Sequence, residues 1–391
     1  MSLPFDAMHA ALRAQVDRDI LPGVSTALLR GREVVDVFCH GMADREARVP
    51  LREDHLFRIF SNSKLVTSCA VMQLIEEGRI ALDDPIAAYI PELGERQVLR
   101  PGAMRLDDTE PAREPITVRH LMTHTSGLSY GIFDPGSLLY EAYGRAKVMS
   151  PHMELAALTQ VLAPLPLAFH PGTRWEYSVG TDVLSRLVEV VSGRTFGQYL
   201  SARIFEPLEM ADTAFWVPES RRERLCALYA SPDPTDANGA GLVRVDDRPY
   251  PGAYVHTPVR ESGGGGLVSS LWDMVRLLRS LIPGGATLLR PETIDAMWAN
   301  QLPPGVHVHI AGTPRTDSRG FGLGSSIALR PAPGEPAQVA GEVSWGGLAG
   351  TVWWLHPRLG TAGVLMTQRW LGTGHPYAVE FKRQAYRALG Q

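Results

Sequence analysis

Ser61 and Lys64 stand three residues apart in LFRIFSNSKLVTSCAVMQLIEEG, residues 56–78. On a helix that spacing puts both side chains on one face, one turn apart. A serine hydroxyl becomes a useful nucleophile only when a nearby group takes its proton. A lysine amine can do so once burial disfavours its charge, whereas arginine cannot lose its proton in a protein. The chain carries positive charge almost entirely on arginine: of 38 basic residues only Lys64, Lys147 and Lys382 are lysines. An extended-looking run, residues 56–60, leads into Ser61, and Leu65, Val66, Cys69, Val71, Met72, Leu74 and Ile75 follow at helical spacing. That pattern predicts Ser61 at a helix N-terminus, where free amides and the helix dipole favour a developing oxyanion. The same four residues also fit a helix-capping serine beside a solvated lysine.

A second chemical signal lies in WEYSVGTD. Tyr177 follows a Pro171-Gly172 turn and precedes a predicted helix, a placement that aims its phenol into a cleft. Phenol and amine ordinarily titrate near pH 10 and 10.4, so in a desolvated pocket the two can share one proton. The alternative is a packed tyrosine with a satisfied hydroxyl. Asp182, five residues on, fits either a carboxylate that holds charge near Lys64 or a helix-start residue.

Other candidates carry less. His120 and His124 are four apart, but Leu121 stands where the glutamate of an H-E-x-x-H zinc motif belongs, and no metal is expected there or at His307 and His309. The run Gly263–Gly266 leads into Leu267 and Val268, not Lys-Ser/Thr, and reads as a tight strand-to-helix passage beside the cleft, not a phosphate loop. No G-x-S-x-G elbow is present.

These residues need a scaffold. The 391 residues, 45% apolar, suffice for one large or two modest domains, and the net charge of -4 with no basic cluster argues against nucleic-acid and anionic-membrane partners. The N-terminal stretch has acidic and arginine residues among its apolar positions. It resembles neither a signal peptide nor a membrane span, so a cytoplasmic protein is expected. Cys39, Cys69 and Cys226 are odd in number and widely spaced, which disfavours disulfides or zinc.

An amphipathic opening helix (Phe5, Met8, Leu12, Val16, Ile20) and a hairpin turning at Gly31 precede the Ser61 helix. Thr117 caps a short helix, residues 151–208 are mainly helical, and residues 218–258 read as a long surface excursion. From Gly320 onward the pattern is strand-like, closed by a helix over 377–389. Strands at both ends with helices between predict an α/β (α+β) fold: a sheet domain from residues 1–90 and 262–391, and a mainly helical domain with long loops from 91–261. A cleft between them is the expected site.

SNSK, the YSV of WEYSVGTD, and SWGG at the end of a strand resemble, in order, the S-x-x-K, Y-x-N and K-T-G motifs of the serine β-lactamase and penicillin-binding-protein superfamily. HLMTHTSGLSYG, PGTRWEYS and GGGGLVSS are similar to segments of its class C-like branch, in particular of the family VIII carboxylesterases and related acyltransferases. The likeness spans nearly the whole chain. It implies a β-lactamase/transpeptidase-like fold, an antiparallel sheet flanked by helices with a second, mainly helical lobe, and no cofactor.

It further implies Ser61 as acyl-forming nucleophile, Lys64 as proton acceptor or its tuner, Tyr177 as the group that passes the proton to the leaving alcohol, and an oxyanion hole from the amides of Ser61 and Leu348. Tyr130, Trp345, Gly346 and Gly347 would contact substrate, with Asp182 in support. Phe133, Trp353, Trp354 and Trp370 are further aromatic candidates, although strand alternation sends Trp353 and Trp354 to opposite faces. Val179 replaces the asparagine of Y-x-N and Trp345 the lysine of K-T-G, which removes a charged anchor for a substrate carboxylate. The implied substrate is a small uncharged ester, with acyl transfer to an alcohol or amine as the near alternative and weak β-lactamase or amidase activity as a more distant one.

Overall fold

A computed structural model describes residues 5–233, 236, 239–310, 317–372 and 375–390. The largest element is an eight-stranded sheet, every neighbouring pair antiparallel. Gly23–Arg30 pairs with Glu33–Asp44 on one side and with Thr361–Met366 on the other. From there the order runs outward through Val352–His356, Val343–Gly346, Ser326–Ala328 and Arg319–Phe321, while Val49–Pro50 closes the opposite edge. Strands from the two ends of the chain therefore share one sheet. The first hairpin turns where expected, with Gly31 at φ +57° and Arg30 opposite Glu33.

Alternation along each strand feeds two cores. Val24, Leu28, Trp354 and Leu365 face Met8 and Leu12 of helix Asp6–Asp17 and Tyr377, Phe381 and Tyr386 of helix Pro376–Ala388. Ala27, Trp353 and Val364 face the other way, into the main core shared with helices Ser63–Glu76 and Leu271–Ser280. Trp353 and Trp354 thus take opposite faces, and both are fully buried, so neither lines a cleft.

Helix Ser63–Glu76 is the axis of the molecule. Residues 63–74 are all buried, as befits a helix surrounded by protein on every side. Helices Val118–Met122, Leu155–Leu162, Gly180–Ser192 and Phe196–Leu200 come from the middle of the chain and join the same core. Thr117 does cap the first of these: its hydroxyl accepts from the His120 amide, and His120 Nδ1 accepts from the Thr117 amide in return. A helix at Leu138–Arg145, capped by Ser137, was not expected from the sequence.

Most of the described residues within 218–258 are exposed or half-buried, as expected of a surface excursion, but Leu228, Ala253 and Tyr254 are buried against Leu56 and Phe60 and build a wall beside Ser61. The segment shows little periodicity because isolated aromatic and aliphatic anchors, rather than a regular face, hold it down. Among the described residues no helix is long and apolar enough to cross a membrane.

Candidate active site

Ser61 occupies a single 3-10 turn, Phe60–Asn62, between the short strand Leu56–Arg58 and helix Ser63–Glu76. Phe60 immediately before it has φ +44°, an unfavourable conformation for a residue with a bulky side chain. The Phe60 ring is held edge-on by Tyr254 and Trp370, with centroids at 5.5 and 5.7 Å. The Tyr254 hydroxyl donates to the Gly265 carbonyl at 2.8 Å, tying this wall to the glycine run.

Tyr177 reaches Ser61 from the opposite side, its hydroxyl 2.8 Å from Ser61 Oγ. The two residues are 116 positions apart in sequence. Lys64, 2% exposed, donates from Nζ to the Gly264 carbonyl at 2.5 Å and lies 4.6 Å from the Tyr177 ring centroid and 5.4 Å from that of Tyr130. An ammonium has three protons to place; one carbonyl and two aromatic faces account for its surroundings. Among the described residues it makes no hydrogen bond to Ser61, although both sit at the same helix start as expected. Tyr177 stands between them, its hydroxyl on Ser61 Oγ and its ring face toward the Lys64 amine.

Asp182 does not touch Lys64 either. Its Oδ1 accepts from Ser262 Oγ at 2.6 Å and from the Gly264 amide at 3.4 Å, so it grips the peptide that carries the lysine's carbonyl partner. A β-carbon on Gly264 would fall 2.6 Å from Asp182 Oδ2, and one on Gly263 2.2 Å from Ser185 Oγ. The glycine run is there for close backbone approach, in keeping with the tight passage expected, and it leads directly into strand Val268–Ser270 and helix Leu271–Ser280.

The placement of Tyr177 depends on a residue singled out in the sequence only as half of a spacing. The His124 carbonyl accepts from the Glu176 amide at 2.9 Å, and His124 Nδ1 accepts from the Ser178 amide at 3.3 Å. His124 thereby holds the residues on both sides of Tyr177. Its ring also packs edge-on against the Tyr177 ring at 4.8 Å. Burial, reinforced by the nearby Lys64 charge, pushes the His124 pKa well below the usual histidine range, so the ring is neutral. A neutral ring whose Nδ1 accepts carries its proton on Nε2.

Around the phenol stand Tyr130, stacked at 5.3 Å, with Phe133 at 5.6 Å, Trp345 at 5.4 Å and Trp175 at 6.2 Å. Burial, then Tyr177 and Asp182, drives the Tyr130 pKa well above that of a free phenol, so Tyr130 remains a neutral partner. Trp175 also lines a pocket of about 470 Å³ that includes His307 and His309 in its wall. Among the described residues no three histidine, cysteine, aspartate or glutamate side chains are grouped to hold a metal.

Trp345 and Gly346 end strand Val343–Gly346, and Gly347 opens the turn closed by the Gly350 amide donating to the Gly347 carbonyl at 2.8 Å. Leu348 lies inside that turn, and among the described residues no acceptor takes its N–H.

A family model described as Beta-lactamase matches residues 8–387. A curated relative, Esterase EstB of Burkholderia gladioli, is 30% identical, the match covering 98% of this chain and 97% of the esterase. An uncharacterised protein of Mycobacterium tuberculosis is 36% identical over 90% of this chain and 87% of its own length. Among solved structures, Simvastatin Synthase (LovD) from Aspergillus terreus superposes with a TM-score of 0.82 at 26% identity, with 100% of both chains covered. A serine, a lysine and a tyrosine gathered around one helix start under an antiparallel sheet, and a family match along nearly the entire length, lead to one assignment: the chain belongs to the Beta-lactamase family.

Proposed function

We propose that this protein is a serine carboxylesterase of the family VIII type, hydrolysing small uncharged esters through an acyl-enzyme on Ser61. The observation that carries the reading is the 2.8 Å contact between the Tyr177 hydroxyl and Ser61 Oγ, with the Lys64 amine against the tyrosine ring. With the Lys64 amine set against its ring, Tyr177 as phenolate accepts the Ser61 proton as Oγ attacks the ester carbonyl, and returns it to the departing alkoxide. Water then attacks the acyl-enzyme, again giving its proton to Tyr177, and as the second tetrahedral intermediate collapses to the free acid that proton passes back to the departing Ser61 Oγ. The carbonyl oxygen carries negative charge in both tetrahedral intermediates, and the amides of Ser61 and Leu348 receive it. Tyr177, which touches the serine, is the proton carrier; Lys64 supplies positive charge across the ring face, and Asp182 steadies the Gly264 peptide that holds Lys64.

Substrate choice follows from the lining. Trp345 stands where a lysine would anchor a carboxylate, and its ring packs on Tyr177 among Tyr130 and Phe133. Such a wall favours an apolar ester over a charged one. Acyl transfer is a second reading, supported by the likeness to LovD and by a reacting centre ringed by aromatics, which disfavours water as the second nucleophile.

An activated phosphonate and a panel of p-nitrophenyl esters of graded acyl length provide the test. Covalent labelling and turnover are expected in the native protein and absent in Ser61→Ala; turnover surviving that change would sink the proposal. With methanol added, the ratio of methyl ester to free acid separates transfer from hydrolysis.

A further inference from the structure

The two edges of the proposed oxyanion hole come from distant parts of the chain, and Thr351 is hydrogen-bonded to the segments that carry both. The Thr351 hydroxyl donates to the Ile59 carbonyl at 3.4 Å and accepts from Asn62 Nδ2 at 3.0 Å. Ile59 and Asn62 bracket Phe60 and Ser61, and the Asn62 amide closes that turn on the same Ile59 carbonyl at 3.0 Å. The Thr351 carbonyl, in turn, accepts from the Gly347 amide at 2.7 Å, fixing the start of the turn that presents Leu348.

The junction is dry and close. Ile59, Asn62 and Thr351 are each at most 1% exposed. A β-carbon on Gly347 would fall 2.3 Å from the Ile59 oxygen and 2.4 Å from Thr351 Oγ1, so the Leu348 turn rests directly on the backbone of the Ser61 turn. Asn62 Oδ1 is buried without a partner, a costly arrangement for an acceptor. An apolar residue would avoid that cost, and what the asparagine gains in return is the bond from its Nδ2 to Thr351. Phe60, with φ +44°, adds strain that the surroundings have to hold.

We propose that Thr351 is a positioning residue that sets the gap between the Ser61 and Leu348 amides, with Asn62 as its side-chain partner. The inference rests on the reading of Ser61 as nucleophile. The hydroxyl of Thr351 fixes the serine side of the gap and its carbonyl fixes the leucine side, so loss of the hydroxyl lets one edge drift relative to the other.

Thr351→Val removes the hydroxyl and keeps the volume; Thr351→Ser keeps the hydroxyl. Removing an oxyanion donor outright costs on the order of 100- to 1000-fold in kcat, so a misplaced one should cost about 10- to 100-fold. Thr351→Val is expected to lose kcat on a p-nitrophenyl ester by that amount with KM nearly unchanged, and Thr351→Ser to stay close to native. An alkyl boronic acid, which becomes a tetrahedral anion on Ser61, should lose affinity in parallel with kcat, while inhibition by the product alcohol stays constant. Asn62→Leu should repeat the pattern and carries the test alone if Thr351→Val does not fold. Native kcat and boronate affinity in the variant that folds would overturn the proposal, as would equal losses in boronate and alcohol binding. Turnover surviving Ser61→Ala strikes the nucleophile itself, whereas native kinetics in Thr351→Val beside an inactive Ser61→Ala removes only the threonine's role.

Discussion

Tyr177 and Lys64 occupy unequal positions around Ser61, and the inequality is chemical. The phenol oxygen is the atom within hydrogen-bond distance of Oγ, whereas the amine meets a carbonyl and two ring faces. A group in contact with the reacting oxygen moves the proton; a charge beside that group tunes it. Tyr177→Phe removes the proton carrier while keeping the ring stack with Tyr130, so kcat should fall by about 100- to 10,000-fold with an unchanged fold. Lys64→Met should also depress kcat strongly, and the double variant should be hardly worse than either single one, because groups acting as a unit lose their effect together. Steady-state kinetics on one nitrophenyl ester decides the matter, and multiplicative losses in the double variant would show that the two act separately.

The elements that bring these groups together differ in how plainly the sequence announces them. Helix Ser63–Glu76 was legible because its apolar residues repeat, and the Gly31 hairpin because two strand-like runs flank a glycine. Trp353 and Trp354 could be sent to opposite faces from alternation alone. The wall made by Leu228, Ala253 and Tyr254 was not legible, since they anchor irregular backbone, which has no period to detect. Nor was the role of His124: a spacing of four from His120 says nothing about a clamp closing on residues more than 50 positions away.

That clamp makes its own prediction. Asparagine can offer its Oδ1 where His124 presents Nδ1, and it tolerates the φ of +56° found here, whereas alanine offers no acceptor. His124→Ala should lower kcat at least about tenfold by freeing Tyr177, for a 1 Å misplacement alone can cost on the order of 100-fold. His124→Asn should recover most of that loss. Kinetics for the two variants, beside their melting temperatures, test the idea; it fails if alanine and asparagine are equally impaired at equal stability.

At the scale of the whole molecule the ends of the chain cover the back of the sheet, and buried polar groups secure them. Lys382 of the last helix meets Glu342 at 2.5 Å, and the Tyr386 hydroxyl donates to the same carboxylate at 2.9 Å. His375, which caps this helix by accepting the Tyr377 amide on Nδ1, is 3% exposed, and its Nε2 is buried without a partner. Protonating it would place a charge in a dry site near the Arg369 guanidinium. Burial first, and Arg369 second, accordingly lower its pKa to about 4.

His55, His120, His124 and His356 are likewise lowered, chiefly by burial. An unfolded histidine titrates near pH 6.5, so between that value and the depressed folded pKa the unfolded chain binds more protons than the folded one, and acid favours unfolding. Stability should therefore be full with respect to these histidines above about pH 6.5 and decline as the pH falls toward 4, offset in part by Glu176, Glu189 and Asp273, whose carboxyls burial pushes up so that they take up protons more readily in the folded chain. The midpoint of urea unfolding should be clearly lower at pH 5 than at pH 7.5. His375→Asn, which retains an acceptor for the Tyr377 amide and cannot take up a proton, should flatten that slope, whereas a midpoint independent of pH, or one rising in acid, would mean that these histidines are already charged in the folded protein.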